Sequence, residues 1–347
     1  MTLEERKQAF IQLGQFLNDF IQEKTPENSL HFHEQLLEKT ESSIHYNGWF
    51  TKENIYFSLT QWASALTKEN LEEWISNYSL KEKQPKTVAV IMAGNIPLVG
   101  FHDFLSILIS GNKVLIKQSS NDKLLLPVLV EFLIDVNPTF KEYITFTKDK
   151  LENFDAVIAT GSNNTARYFE YYFSKKPHII RKNRNSVAIL TNNDTVDDLK
   201  PLAEDIFRYY GLGCRNVSKI FIHEDFSLET LFKAVYHWNS IINQNKYANN
   251  YDYNKAVYLM SEFKLFDNGF LILKEDTSYS SPIASVFYEK YSNLDDLLEK
   301  LDQEKEQIQC IVSNNLKENH VNFGKTQQPK LSDYADNVDT MNFLINL

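Results

Sequence analysis

The run RYYGLGCRNVSKIFIH, residues 208 to 223, holds the side chain of this chain best suited to covalent chemistry. Cys214 is one of two cysteines in 347 residues, and it follows Gly211 and Gly213. A thiolate adds readily to a carbonyl carbon, and glycines ahead of it let the backbone turn tightly and leave the sulfur accessible. The same residues fit a buried thiol where a helical pattern passes into the strand-like run Ser218 to His223. Cys310, in IQCIVS, reads as a core strand thiol.

Two strand ends could hold a ligand. In VIMAGNIP an apolar run ends at Met92 and Ala93, then turns through Gly94, Asn95 and Pro97 into a helical segment. In VIATGS a second run ends in Thr160, Gly161 and Ser162 before another helix. Ligands in doubly wound folds collect at such ends, and helix N-termini favour phosphate. Ordinary strand-to-helix turns use the same residue types. A third piece, GNKVLIKQSSND, puts Lys117 at a strand end with Ser119 and Ser120 behind it. Neither GxGxxG nor a Walker A sequence is present, so a nucleotide would not bind by the usual glycine fingerprint. The eight histidines have no metal-site spacing, and His31 and His33 fall on different faces of a helix. The basic run at Arg181, Lys182 and Arg184 reads as a solvated loop, with a phosphate contact as the alternative.

Residues 1 to about 80 must be helical, because apolar positions recur at three and four (Phe10, Leu13, Leu17, Phe20, Ile21), and Thr67 is a plausible N-cap. After KEKQP the texture changes. From Thr87, runs of Val, Ile and Leu without polar alternation are separated by helical segments, as in parallel strands buried on both faces. The expectation is an α/β fold with an open, doubly wound parallel sheet. Beyond the cysteine comes a second α/β set, with strands at SKIFIH, AVYLMSE, FLILKED, IASVFYEKY and QCIVS, and helices near 228–243 and 293–306. The Asn-rich NQNKYANNYDYN reads as loop.

A chain of this length suggests roughly two domains. With 43% apolar and 13% aromatic residues it can build a large core, and a net charge of −10 argues against nucleic acid as main partner. The N-terminus is charged from residue four and has no secretory pattern. No apolar stretch reaches the ~18 residues of a membrane span. Two distant cysteines make no disulfide framework, so a reduced, cytoplasmic protein is expected.

Taken in order, GNIP, GNKVLIKQS, TGS, NSVAIL and GLGCRNVSKIFI resemble the aldehyde dehydrogenase superfamily over about residues 85 to 315. The resemblance is greatest to its acyl-CoA reductase branch, the type that supplies fatty aldehyde in bacterial luminescence. The tail QQPKLSDYADNVDTMNFL is similar to short bacterial members of that branch. The resemblance implies a helical segment and nucleotide-binding domain over 1–182, a catalytic domain over 183–315, and a tail over 316–347 that could pair two copies into a homodimer. It implies that Cys214 is the nucleophile and that Asn95 donates its amide to the developing oxyanion, with the cysteine's own N–H as second donor. Met92, Ala93, Gly94, Lys117, Ser119, Ser120, Thr160, Gly161 and Ser162 would then hold the cofactor, Lys117 at the adenosine ribose.

Three departures sharpen that expectation. The glutamate that activates water in hydrolytic relatives is replaced by Ile180, and no carboxylate lies between Glu170 and Asp194. Without that base an acyl-enzyme is protected from water. Ser120 stands where NAD-preferring relatives carry a glutamate, which tilts the choice to NADPH. Ser278 stands where a glutamate clamps the nicotinamide ribose. The expected activity is reduction of an acyl thioester, acyl-CoA or acyl-protein, to aldehyde, with coenzyme A as leaving group. A reductase of acyl phosphates or semialdehydes, and a non-catalytic relative, are the alternatives.

Overall fold

The computed structural model describes residues 1–24, 26–81 and 83–347, residue 28 by its backbone only. The chain divides into two compact units, residues 1–182 with 330–347, and residues 183–329.

The first unit opens with four helices, α1 (Leu3–Ile21), α2 (Leu30–Tyr46), α3 (Lys52–Ala65) and α4 (Lys68–Ser76). Thr2 and Glu5 close a capping box on α1, which satisfies N–H groups that have no partner inside the helix. Thr67 caps α4 by accepting the Asn70 N–H. The spacing of three and four is realised in the burial of Phe10, Leu13, Leu17 and Phe20 along α1. Next come β1 (Thr87–Ile91), α5 (Phe101–Ile109), β2 (Lys113–Lys117), α6 (Leu125–Val136), β3 (Ile144–Phe146), β4 (Ala156–Thr160), α7 (Asn163–Phe173) and β5 (His178–Arg181). These strands are parallel, in the order β3-β2-β1-β4-β5. Ala156 to Ala159 are wholly buried, as a strand covered on both faces requires.

The second unit holds β6 (Asn185–Leu190), α8 (Val196–Leu199), α9 (Leu202–Phe207), β7 (Val217–His223), α10 (Leu228–Val235), α11 (Asn245–Met260), β8 (Leu265–Asp267), β9 (Ile272–Glu275), β10 (Ser285–Tyr291), α12 (Leu294–Gln303) and β11 (Ile308–Val312). Its sheet runs β11-β6-β7-β10-β9-β8, parallel except for β8. Most of the expected loop at NQNKYANNYDYN and of the expected strand at AVYLMSE lies in one helix, α11. Its buried face consists of Tyr247, Tyr251, Asn254 and Tyr258, which share a side at helical spacing. Asn254 donates to the Ile283 carbonyl and Tyr247 to that of Phe270, so a polar face is satisfied in the interior. Hydrophobic periodicity is blind to such a face.

The last helix, α13 (Thr340–Ile345), returns to the first unit. There Leu331, Tyr334, Met341 and Leu344 join the core. Trp74 Nε1 donates to Tyr334 Oη at 2.6 Å, and Lys83 Nζ donates to the carbonyls of Leu344 and Ile345. Among the described residues no helix is long and apolar enough to cross a membrane.

Candidate functional site

The singled-out residues form two sets, one in each unit. In the first unit, Ile91 pairs with Lys117 on one side and with Ala159 on the other. The segments that follow β1, β2 and β4 therefore leave the sheet side by side. The chain passes from β1 to β2 and β3 on one side, then crosses to β4 and β5 on the other. The carboxyl end of β1 is thus the point where strand order reverses, which is where open α/β sheets bind ligands.

Met92 is buried and its N–H donates to the Lys117 carbonyl at 3.0 Å. Ala93 is half-buried, Gly94 buried and Asn95 exposed. A Cβ on Gly94 would lie 2.5 Å from Ser119 Oγ, so the two segments approach as only glycine allows. Asn47 Nδ2 donates to the Gly94 carbonyl at 3.3 Å and Ser58 Oγ to that of Pro97 at 3.0 Å, which ties the turn to α2 and α3. Lys117 Nζ donates to the Asp149 carbonyl at 3.0 Å, and Ser120 is exposed. Thr160 ends β4, the Gly161 N–H donates to the Arg181 carbonyl, and Ser162 caps α7 by accepting the Thr165 N–H. A close glycine contact, exposed hydroxyls, one ammonium and a helix N-terminus at a strand-order switch fit a dinucleotide's pyrophosphate and riboses.

In the second unit the cysteine lies in a turn built under backbone strain. Past α9, Tyr209 and Tyr210 have φ of 54° and 58°, and Gly211 follows at 76°. A left-handed residue other than glycine costs ~1–2 kcal/mol, so other contacts must hold this segment. Asn216, fully buried, supplies them. Its Nδ2 donates to the carbonyls of Asp205 (3.0 Å) and Arg208 (2.9 Å), while its Oδ1 accepts the Gly213 N–H at 2.8 Å. Its own N–H donates to the Gly213 carbonyl at 3.0 Å and closes a turn around Cys214 and Arg215. In a trans peptide the carbonyl and the N–H point opposite ways, so this bond turns the Cys214 N–H away from Asn216.

On the far side of the turn, Ser186 Oγ donates to the Cys214 carbonyl at 3.0 Å and lies 3.2 Å from Cys310 Sγ. Cys214 is exposed, Cys310 is buried, and neither is in a disulfide. An exposed thiol on a fixed turn, beside a backbone N–H of set direction, can form a covalent bond to a carbonyl carbon and stabilise charge on its oxygen. Below the turn Asp205, wholly buried, accepts from the N–H groups of Gly324 and Thr326 and from Thr326 Oγ1. Burial pushes its carboxyl up to about 6, against the pull of those donors.

The three cations of the basic run have carboxylate partners. Arg181 is buried, bonded to Asp103 and to Thr340 Oγ1, while Lys182 pairs with Glu170 and Arg184 with Glu306. Ile180 sits half-buried on β5 opposite Ala159, and Ser278 is exposed with its N–H on Asp276. His102, on α5, is half-buried. It packs against Trp62, Trp74 and Tyr334, with Nε2 2.9 Å from the Leu331 carbonyl. Asn216, Ser186 and Asn47 carry no signal in the sequence, because a buried amide or hydroxyl reads like any other polar residue. The Gly-Leu-Gly before the cysteine signals a tight turn but not what holds it.

Residues 15–323 match the family model described as acyl-CoA reductase (LuxC). The chain is 27% identical over 226 residues to the long-chain acyl-protein thioester reductase of Aliivibrio fischeri, covering 59% of this chain and 47% of the relative. It is 23% identical over 217 residues to the protein of that name from Photorhabdus laumondii, covering 56% and 45%. The chain thus spans about half the length of the curated relatives it matches. Among solved structures, aldehyde dehydrogenase 21 of Physcomitrella patens, in complex with succinate, superposes with a TM-score of 0.64 at 15% identity, covering 91% of this chain and 74% of that one. The indole-3-acetaldehyde dehydrogenase of Pseudomonas syringae, in complex with NAD+, gives 0.65 at 14% identity, covering 91% and 73%. These likenesses establish an aldehyde dehydrogenase-like fold.

Proposed function

We propose that this chain, which belongs to the acyl-CoA reductase (LuxC) family, reduces an acyl thioester to the aldehyde through an acyl-enzyme on Cys214. The substrate is a long-chain acyl group carried on coenzyme A or on a protein thiol, the second being what the two relatives' names state. The observation that carries the reading is the exposed thiol of Cys214 on a turn closed by Asn216, inside the segment matched to the family.

Cys214, as thiolate, adds to the thioester carbonyl. The carbon–sulfur bond to the carrier breaks, the carrier leaves as coenzyme A or protein thiolate, and the acyl group remains on Cys214. Asn95 and the Cys214 N–H are the proposed donors to the carbonyl oxygen as it gains charge, a role worth ~2.7–4 kcal/mol for each donor. A nicotinamide cofactor, proposed as NADPH, supplies the hydride that converts the acyl thioester to the aldehyde and returns the thiolate. Met92, Ala93, Gly94, Lys117, Ser119, Ser120, Thr160, Gly161 and Ser162 are the residues proposed to hold it. With Ile180 in place of a water-activating carboxylate, the acyl-enzyme waits for reductant instead of hydrolysing.

Intact-protein mass spectrometry after incubation with a series of acyl-CoAs, without reductant, tests this reading. One acyl mass should appear, map to Cys214, and be absent from Cys214→Ala. A label that persists in that variant, or that maps to Cys310, would overturn it.

A further inference from the structure

Leu98 closes the turn that carries Asn95, and it does so at a φ of 58° although it is not glycine. The residue is buried, so its N–H must find a partner inside the protein. That partner is Asp122 Oδ2 at 2.8 Å, from the loop that follows β2. Asp122 is itself braced, because its N–H donates to the Ser119 carbonyl and its carbonyl accepts from Gln118 Nε2. Asn47 and Ser58 hold Gly94 and Pro97 through their carbonyls. Asp122 holds the end of the turn through a backbone N–H.

We propose that Asp122 is a positioning residue for Asn95. Its side-chain oxygen Oδ2 keeps Leu98 in the left-handed conformation and so fixes the turn that presents the Asn95 carboxamide. This rests on the reading of Asn95 as a donor to the thioester oxygen. Two physical points support it. A left-handed leucine relaxes once its restraint is gone, because the strain of ~1–2 kcal/mol is then relieved by rotating φ. A buried N–H that loses its acceptor carries a penalty of ~1–3 kcal/mol, so the turn gains by moving toward water. Asn95 is three residues away, and a shift of ~1 Å in a catalytic donor is enough to cost ~10²-fold in rate. Burial pushes the Asp122 carboxyl up to about 7, while the Leu98 N–H pulls it down.

The test follows acylation of Cys214 by intact mass without cofactor, and measures NADPH affinity separately by titration calorimetry. Asp122→Ala should slow acylation ~10-fold or more, with the NADPH Kd nearly unchanged. Asp122→Asn keeps an acceptor oxygen in the same place and should restore most of the rate. Adding Asp122→Ala to Asn95→Ala should slow acylation little beyond Asn95→Ala alone, because the two act as one unit. The proposal is overturned if Asp122→Ala acylates at the wild-type rate, if only its NADPH Kd changes, or if the two losses multiply in the double variant. Should the alanine variant fail to fold, Asp122→Ser, whose hydroxyl falls short of Leu98, carries the same comparisons. Unslowed acylation in Asn95→Ala overturns the donor reading, and the positioning role falls with it. Slow acylation in Asn95→Ala beside unslowed acylation in Asp122→Ala overturns the positioning role alone.

Discussion

Asn95 is exposed at the carboxyl end of β1, so its replacement is read in kinetics and binding side by side. Asn95→Ala should lower kcat by ~10²–10³ while the NADPH Kd stays nearly constant. Steady-state kinetics with a parallel binding titration checks both halves, and an effect confined to the Kd would move Asn95 to the nucleotide. Ser120 answers a different question. It is exposed in the loop after β2, close in sequence to the ammonium of Lys117, and offers a 2′-phosphate a hydroxyl and no negative charge. NADPH should therefore exceed NADH in kcat/KM. Ser120→Glu should reverse that order by setting a carboxylate against the phosphate. An enzyme that prefers NADH and ignores the substitution would place the adenosine ribose elsewhere.

The cysteine turn belongs to the scale of elements, since the end of α9, the start of β7 and the first strand of the second sheet all hold it. Asn216→Ala removes an acceptor and a donor from buried backbone groups at once. It should cost ~1–3 kcal/mol in urea unfolding and change the rate at which iodoacetamide alkylates Cys214. Unaltered alkylation would mean that the turn holds its shape without Asn216. Asp205 anchors the loop at Gly324 and Thr326 to α9 and brings a pH dependence. Its carboxyl stands at about 6 in the fold, against ~3.9 in an unfolded chain. The folded state therefore binds the proton more tightly. The resulting stability is present in full below about pH 4 and is lost as the pH rises to about 6. Urea midpoints of Asp205→Asn should accordingly vary less across that window than those of wild type.

At the scale of the whole molecule, each unit has its own sheet, and the last eighteen residues belong to the core of the first. Leu344 is wholly buried there, and its carbonyl accepts from Lys83 Nζ and Asn112 Nδ2. Leu344→Ala should cost ~2–5 kcal/mol, the range for cavities in cores, read as a lower urea midpoint. A change in oligomeric state without that loss would instead speak for the tail as a contact between copies.

The local properties were legible in the sequence. Continuous runs of Val, Ile and Leu between helical patterns determined a parallel, doubly wound sheet, because strands buried on both faces have no polar side to show. The order of short motifs around Asn95, Lys117, Thr160 and Cys214 pointed to the aldehyde dehydrogenase-like fold, since each sits at a strand end or tight turn with a recognisable residue choice. Tertiary structure decided what depends on partners distant in sequence. That α11 is a helix was settled by burial of tyrosines and an asparagine whose polar atoms are satisfied by Phe270 and Ile283. That Arg181 is an interior ion pair was settled by Asp103, 78 residues away. That Asn216 and Asp122 restrain strained turns was settled by backbone groups bonded to them in three dimensions. A buried polar side chain is defined by its neighbours, and a sequence lists neighbours only along the chain.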